Sequence, residues 1–138
     1  MAESIPRRVR AIFGSRIKRT KGKRVNTSDT VILIPNNGMG KADPELQLTL
    51  IGKYLELLNQ HTKLPNAICF FTEGVKLVVE GSPVLEQLHS LETKGVRLIV
   101  CSTCLDYFCL QDKVKAGIIG GMGDILEAQL KAEKVITL

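Results

Sequence analysis

The sequence predicts an α/β fold, a mostly parallel five-stranded sheet with helices on both faces. Three observations predict it. Short continuous apolar runs, the mark of strands buried on both faces, recur along the chain. Between them lie segments with apolar residues at helical spacing. Proline, glycine and asparagine punctuate the joins. Strands alternating with helices imply right-handed βαβ crossovers, and hence parallel neighbours.

Each element follows in order. Val31-Ile32-Leu33-Ile34 is the first buried strand, and Pro35-Asn36-Asn37-Gly38-Met39-Gly40 is a turn-rich loop after it. Asp43-Pro44-Glu45 reads as N-cap, first-turn proline and first-turn acid of a helix with Leu46, Leu50, Tyr54, Leu57 and Leu58 as its apolar face. Leu64-Pro65-Asn66 breaks the chain, and residues 67–71 form the second strand. Ser82-Pro83 opens a helix that turns Leu85, Leu88 and Leu91 inward and ends at Gly95. Residues 96–101 are the third strand, and a short polar helix is expected within 110–115. Ile118-Ile119 is the fourth strand. Gly120-Gly121-Met122-Gly123 then leads into a helix to about Glu133, with Ile125, Leu126 and Leu130 as its core face, before the last strand at Val135-Ile136.

The 138 residues suffice for one domain with a real core. A composition of 44% hydrophobic and 24% charged residues excludes wholesale disorder. No apolar run approaches the roughly 20 residues of a membrane helix, so no membrane association is expected. Arg7-Arg8 resembles a twin-arginine signal, but Arg10, Arg16 and Lys18 occupy the place of its apolar stretch. A cytoplasmic protein is therefore expected.

The net charge of +5 hides two unlike parts. Residues 1–27 hold nine Lys/Arg against the single acid Glu3, a net of +8, while the rest holds ten against thirteen acids, a net of −3. A basic arm over 1–28 thus precedes a single domain over 29–138. Within the arm, Ile5, Val9, Ile12 and Phe13 share one helical face, with Ser4 as cap and Pro6 in the first turn, and 20–28 is a polar basic linker. Such an arm suits nucleic acid or an anionic surface. It lacks aromatic interleaving and any nucleic-acid fold signature. The reading therefore favours a solvated linker or an oligomerisation arm, not a nucleic-acid partner.

Ligands of open parallel sheets bind beyond the carboxyl ends of the strands, which selects the loops 35–43, 72–82 and 101–112. The last carries the strongest signal, Cys101-Ser102-Thr103-Cys104-Leu105-Asp106-Tyr107-Phe108, with Cys109 just beyond and Cys69 far away. In a reducing compartment Cys-x-x-Cys points to redox, metal or sulfur chemistry rather than a disulfide framework. A thiolate at a strand end can be stabilised by backbone N–H groups at a helix start or by the hydroxyls of Ser102 and Thr103. A second thiol three residues on can resolve a disulfide or share a sulfur atom. Three uses compete. A thioredoxin-type pair wants a long following helix and a neighbouring Trp or Pro, and the chain has no Trp. Zinc wants four ligands, but Cys69 sits within a strand and His89 on a helix, so no metal is expected. The third use is sulfur transfer through a cysteine persulfide.

Several segments, in order and spacing, resemble the DsrE/DsrF-like family, and within it the C-terminal domain of YedF-type, sulfurtransferase-like proteins. They are the Met39-Gly40 loop, Phe70-Phe71-Thr72-Glu73-Gly74-Val75-Lys76-Leu77, Glu80-Gly81-Ser82-Pro83-Val84-Leu85, Lys94-Gly95-Val96, Cys101-Ser102-Thr103-Cys104-Leu105-Asp106-Tyr107 and Lys131-Ala132-Glu133-Lys134-Val135-Ile136. The resemblance covers about residues 30–138. It implies a flavodoxin-like, DsrE-type sandwich, a homo-oligomer, and a role in sulfur or selenium metabolism. It also implies that Cys101 is the sulfur-accepting residue and ranks Cys104 second. Two departures stand out. Ser102 replaces the motif's glycine, which restricts the backbone. The basic arm stands where YedF-type proteins carry a sulfur-carrier domain, so either a separate carrier serves the chain or transfer is not its task.

Other residues of the three loops are candidates for lining or supporting the site. Asn36, Gly38, Met39 and Gly40 fit neither nucleotide-loop pattern and offer no hydroxyl-rich phosphate loop, so no cofactor is expected. Glu73 is placed as a proton acceptor or as an exposed acid, with Gly74 beside it. Asp106 either orients the cysteine loop or caps the short helix, and Thr103 supports the thiols. The resulting expectation is a small sulfur-relay protein, in which Cys101 takes sulfur from a donor persulfide, Cys104 assists or resolves, and a small sulfur-carrier protein serves as donor or acceptor. The alternative is a non-catalytic oligomeric binding module with buried cysteines. Thiol exposure separates the two.

Overall fold

Five strands and four helices alternate through residues 28–138, which are the residues described by the structure, a computed structural model. The strands are β1 (Thr30–Ile34), β2 (Ala67–Phe70), β3 (Arg97–Cys101), β4 (Ile118–Gly120) and β5 (Lys134–Thr137). The helices are α1 (Pro44–Gln60), α2 (Leu85–Thr93), α3 (Ser102–Tyr107) and α4 (Met122–Lys131), with 3-10 turns at Thr72–Val78 and Gln111–Lys113. The predicted basic arm and its Ile5–Phe13 stripe lie outside the described residues.

The sheet runs β4-β3-β2-β1-β5, and every neighbouring pair is parallel. The layering is the expected α/β sandwich, whereas flavodoxin itself orders its strands 2-1-3-4-5. The steps from β1 to β4 all move one way, so right-handed crossovers put α1 and α2 on one face, where they pack on each other. The return from β4 to β5 recrosses the sheet and places α4 on the opposite face, against β3 and β4. Alternation along β1 agrees. Val31 lines a cavity with Ala128 of α4, while its neighbour Ile32 lines a groove with Tyr54 and Leu58 of α1.

The apolar runs are strands because they are buried on both faces. Val31 to Ile34, Ala67 to Phe70 and Leu98 to Cys101 are all buried. Ile51, Leu55, Leu88 and Leu91 close the core from the helices. Ile34, Phe70 and Val100 lie in register, with Cys101 one residue further on, so the ends of the three central strands share one edge.

Two helix faces differ from those the periodicity predicts. In α1 the buried residues are Ile51 and Leu55, with Leu48, Tyr54 and Leu58 partly buried, while Leu46, Leu50 and Leu57 are exposed. The helix carries leucines on more than one side, so spacing alone offers two stripes, and the sheet takes the one ending in Leu55 and Leu58. In α4, Ile125 and Ala128 face inward, and Leu126 and Leu130 stay exposed. The small Ala128 lets the helix approach the sheet closely and carries too little hydrophobicity to stand out. That helix also stops at Lys131, because the N–H groups of Glu133 and Lys134 donate to the Asp29 carbonyl and start β5. Asp43 precedes α1 without a side-chain cap bond, and the cap position of α2 is Val84, whose N–H donates to Ser82 Oγ at 3.2 Å. Gly95, at φ +99°, ends the α2 turn as expected.

Candidate functional site

The three strand ends converge through one residue that the sequence reading passed over. Thr72 follows β2 directly after Phe71. Its hydroxyl donates to the Pro35 carbonyl at the end of β1, and its N–H donates to Cys104 Sγ at 3.0 Å, just past the end of β3. The backbone there has φ +47°, a conformation a β-branched residue rarely adopts. The first part of the loop read from sequence over 72–82 is a 3-10 turn, Thr72–Val78, that buries Gly74, Val75, Leu77 and Val78. Those apolar contacts hold Thr72 in place. In the sequence Thr72 stood within the 72–82 loop and the family-like segment 70–77, with no role assigned to it.

Cys101 ends β3 and Ser102 begins α3, so the motif is a strand-to-helix turn. Strand alternation turns the Cys101 side chain into the core, where it is 0% exposed. Cys104 lies one helical turn on and is partly exposed, and its thiol donates to Cys101 Sγ at 3.3 Å. Leu105, fully buried, anchors α3 to the core. Ser102 occupies the first helical position, which needs no glycine. Burial sets the two thiols apart. Cys101, the residue that the resemblance ranks first, is enclosed, and Cys104 is the member of the pair that meets solvent.

Two influences oppose each other at Cys104. Burial, and then its hydrogen bond with Cys101, hold its thiol above the ordinary value, while the Thr72 N–H favours the thiolate. That N–H comes from a neighbouring loop and not from the helix start or the Ser102 and Thr103 hydroxyls. Cys69 lies within β2, and burial pushes its thiol up to about 11, partly offset by Arg97. It is a core residue. Cys109 is exposed at φ +58°, just after α3.

The remaining expected site residues fall into two groups. Thr103 and Asp106 are exposed on α3, and Asp106 accepts a hydrogen bond from Gln111 Nε2, tying α3 to the following turn instead of touching a thiol. Glu73 forms an exposed ion pair with Lys76 at 3.2 Å, and the Lys76 ammonium sits 4.6 Å from the Phe108 ring centre, beside the cysteine helix. Gly74 is buried, and a Cβ there would lie 1.9 Å from the Ile34 carbonyl oxygen. It permits a close approach and lines no opening. The loop after β1 folds back on α1. Asn36 Nδ2 donates to the Gly40 carbonyl at 2.8 Å, and the Met39 N–H donates to the Gln47 carbonyl at 3.0 Å. Gly38 is buried against Gln47 with φ +137°, while Gly40 is exposed at φ +75°. Among the described residues, this loop reaches the thiols through the hydrogen bonds of Thr72 to Pro35 and Cys104. His89 Nε2 bonds the Lys115 carbonyl at 2.7 Å, away from the cysteine pair.

Residues 37–138 match the model of the DsrE/DsrF-like family. No curated protein matches the chain. Among solved structures, the chain resembles the ychN protein from E. coli at 19% identity and a TM-score of 0.59, over 79% of this chain and 98% of that one. It resembles a protein of unknown function, MTH1491, from Methanobacterium thermoautotrophicum at 19% identity and 0.60, over 82% and 99%. A third, BT1422 from Bacteroides thetaiotaomicron, also of unknown function, matches at 17% and 0.56, over 80% and 95%. At such identities these structures speak for the fold alone.

Proposed function

This chain belongs to the DsrE/DsrF-like family, and from that premise we propose that it is a small sulfur-relay protein that carries sulfur as a persulfide on Cys104. The observation that carries the reading is the Thr72 N–H at 3.0 Å from the partly exposed Cys104 Sγ, with the buried Cys101 Sγ 3.3 Å behind it. A relay thiol needs access for a partner's sulfur and a donor that favours its thiolate. Cys104 has both. In the forward step the Cys104 thiolate attacks the outer sulfur of a donor persulfide. One sulfur–sulfur bond forms, the donor's breaks, and the donor leaves as a thiolate. Passing the sulfur to an acceptor thiolate reverses these roles. The donor and acceptor are thiols on other proteins, such as a small sulfur-carrier protein, and the setting is a reducing one such as the cytoplasm.

The proposal includes a homo-oligomer. Leu57, Leu126 and Leu130 are 65%, 52% and 76% exposed, and Ile118 and Ile119 are exposed on the open edge strand β4. Apolar surface of this kind on helices and a sheet edge favours contact with another chain. Among the described residues, no helix is long and apolar enough to cross a membrane.

The buried Cys101 also fits the alternative of a binding module, which would leave Cys104 idle. Intact-protein mass spectrometry after exposure to a small-molecule persulfide separates the two. A Cys101→Ser, Cys109→Ser chain gains one sulfur atom, lost again on adding reductant, and further replacement of Cys104 by Ser abolishes the gain. No gain in the first chain sinks the relay.

A further inference from the structure

We propose that Cys101 gives the protein a second activity, the reduction of the persulfide carried on Cys104 to free hydrosulfide, with formation of a Cys101–Cys104 disulfide. The inference rests on the relay reading, because it begins from sulfur bound at Cys104.

The geometry points to this use. Cys101 is 0% exposed, so no donor or acceptor protein can touch its sulfur. The thiol that borders it is Cys104, at 3.3 Å. An ordinary disulfide is about 2.05 Å long, so roughly 1.2 Å of closure joins the two sulfurs. The pair also spans a strand end and the first turn of a short helix. The rest of the site holds the target still. Thr72 fixes Cys104 Sγ from the side of β2, and the Leu105 anchor fixes α3. Cys101 is therefore a nucleophile with one possible partner, held close to attack distance at high effective concentration.

The step balances without any outside group. Cys101 begins as a thiol and Cys104 as the ionised persulfide. Cys101 sulfur bonds to Cys104 Sγ, and the bond from Cys104 Sγ to the outer sulfur breaks. The outer sulfur leaves with the bonding pair and takes the Cys101 proton, departing as hydrosulfide. The carried sulfur is reduced by two electrons, and the two cysteines together supply them on becoming a disulfide. A dithiol reductant then restores both thiols through exchange at the accessible Cys104 sulfur. A sulfur that finds its acceptor quickly is passed on, and one that does not is released as hydrosulfide.

The test is a single turnover with a small-molecule persulfide and no reductant, in a Cys109→Ser background that removes the exposed third thiol. Released hydrosulfide is quantified and the intact mass is followed. The expected result is about one hydrosulfide per chain and a product lighter by two hydrogens that retains no extra sulfur. Cys101→Ser and Cys101→Ala chains, each checked for folding by circular dichroism, keep the added sulfur and release hydrosulfide at least about 100-fold more slowly. Two variants guard against one that fails to fold, and the parent chain tests the idea by itself. A parent chain that holds its persulfide as long as the variants do overturns this inference and leaves the relay standing. If no chain, including the Cys101 variants, takes up sulfur, the relay reading fails and the inference with it.

Discussion

Thr72 holds a backbone conformation at φ +47° that sterics oppose for a β-branched residue, and its hydroxyl bond to the Pro35 carbonyl helps to keep it there. Its N–H in turn favours the Cys104 thiolate against burial, which holds that thiol above the ordinary 9.0. The sign of the pH dependence follows. A raised thiol value means that the neutral form dominates at pH 7, so the alkylation rate of Cys104 in a Cys109→Ser chain, where the buried Cys101 stays in place, rises with pH to beyond 9. A rate that levels off below pH 8 contradicts this. Thr72→Ala removes the tether and lets the N–H drift, slowing alkylation at pH 8 by roughly three- to tenfold, the scale of losing one ordinary hydrogen bond of about 1 kcal/mol. Thr72→Ser keeps the hydroxyl and restores the rate. The cysteine motif was legible from sequence because its spacing is local. The exposure of each thiol was not, because it depends on whether the turn from β3 into α3 points a side chain into the core or out of it.

The segment after β2 shows how much an element can conceal. Gly74 sits where the 3-10 turn crosses the end of β1, and an added Cβ would collide with the Ile34 carbonyl oxygen. Because the obstacle is backbone, neither side can yield by a change of rotamer. Gly74→Ala should destabilise the fold by about 3 kcal/mol, the upper range for overpacking, read as a lowered urea midpoint with an unchanged slope. It should also weaken the Thr72 to Cys104 contact, two residues away. A neutral substitution would mean that the turn does not lie against β1. In the sequence Gly74 marked only a loop. The close approach that gives it a purpose involves a strand forty residues earlier. The helix faces carry the same lesson. Ile51 and Leu55 in α1 were overlooked in favour of Leu46, Leu50 and Leu57, since a helix with leucines on several sides has no single periodic stripe.

The whole molecule leaves apolar surface on both sheet faces and at one edge. Leu57 belongs to the α1 side, Leu126 and Leu130 to the α4 side, and Ile118 and Ile119 to the edge strand β4. The opposite edge, β5, begins with an exposed lysine, the kind of residue that discourages edge pairing. Sedimentation velocity of the full chain should give a species heavier than a monomer. A Leu126→Glu, Leu130→Glu chain should shift toward the monomer with unchanged circular dichroism, because both side chains lie outside the core. A monomeric parent chain overturns the oligomer reading. By itself the sequence determined the alternation of strand and helix, the parallel sheet and the Cys-x-x-Cys at the end of β3, since each depends on local composition and periodicity. Only the tertiary structure decided the strand order, the helix stripe that meets the sheet, the burial of Cys101 and the contact of Thr72 with Cys104. Those depend on residues distant in sequence meeting at one edge of the sheet, and chain periodicity carries no record of such meetings.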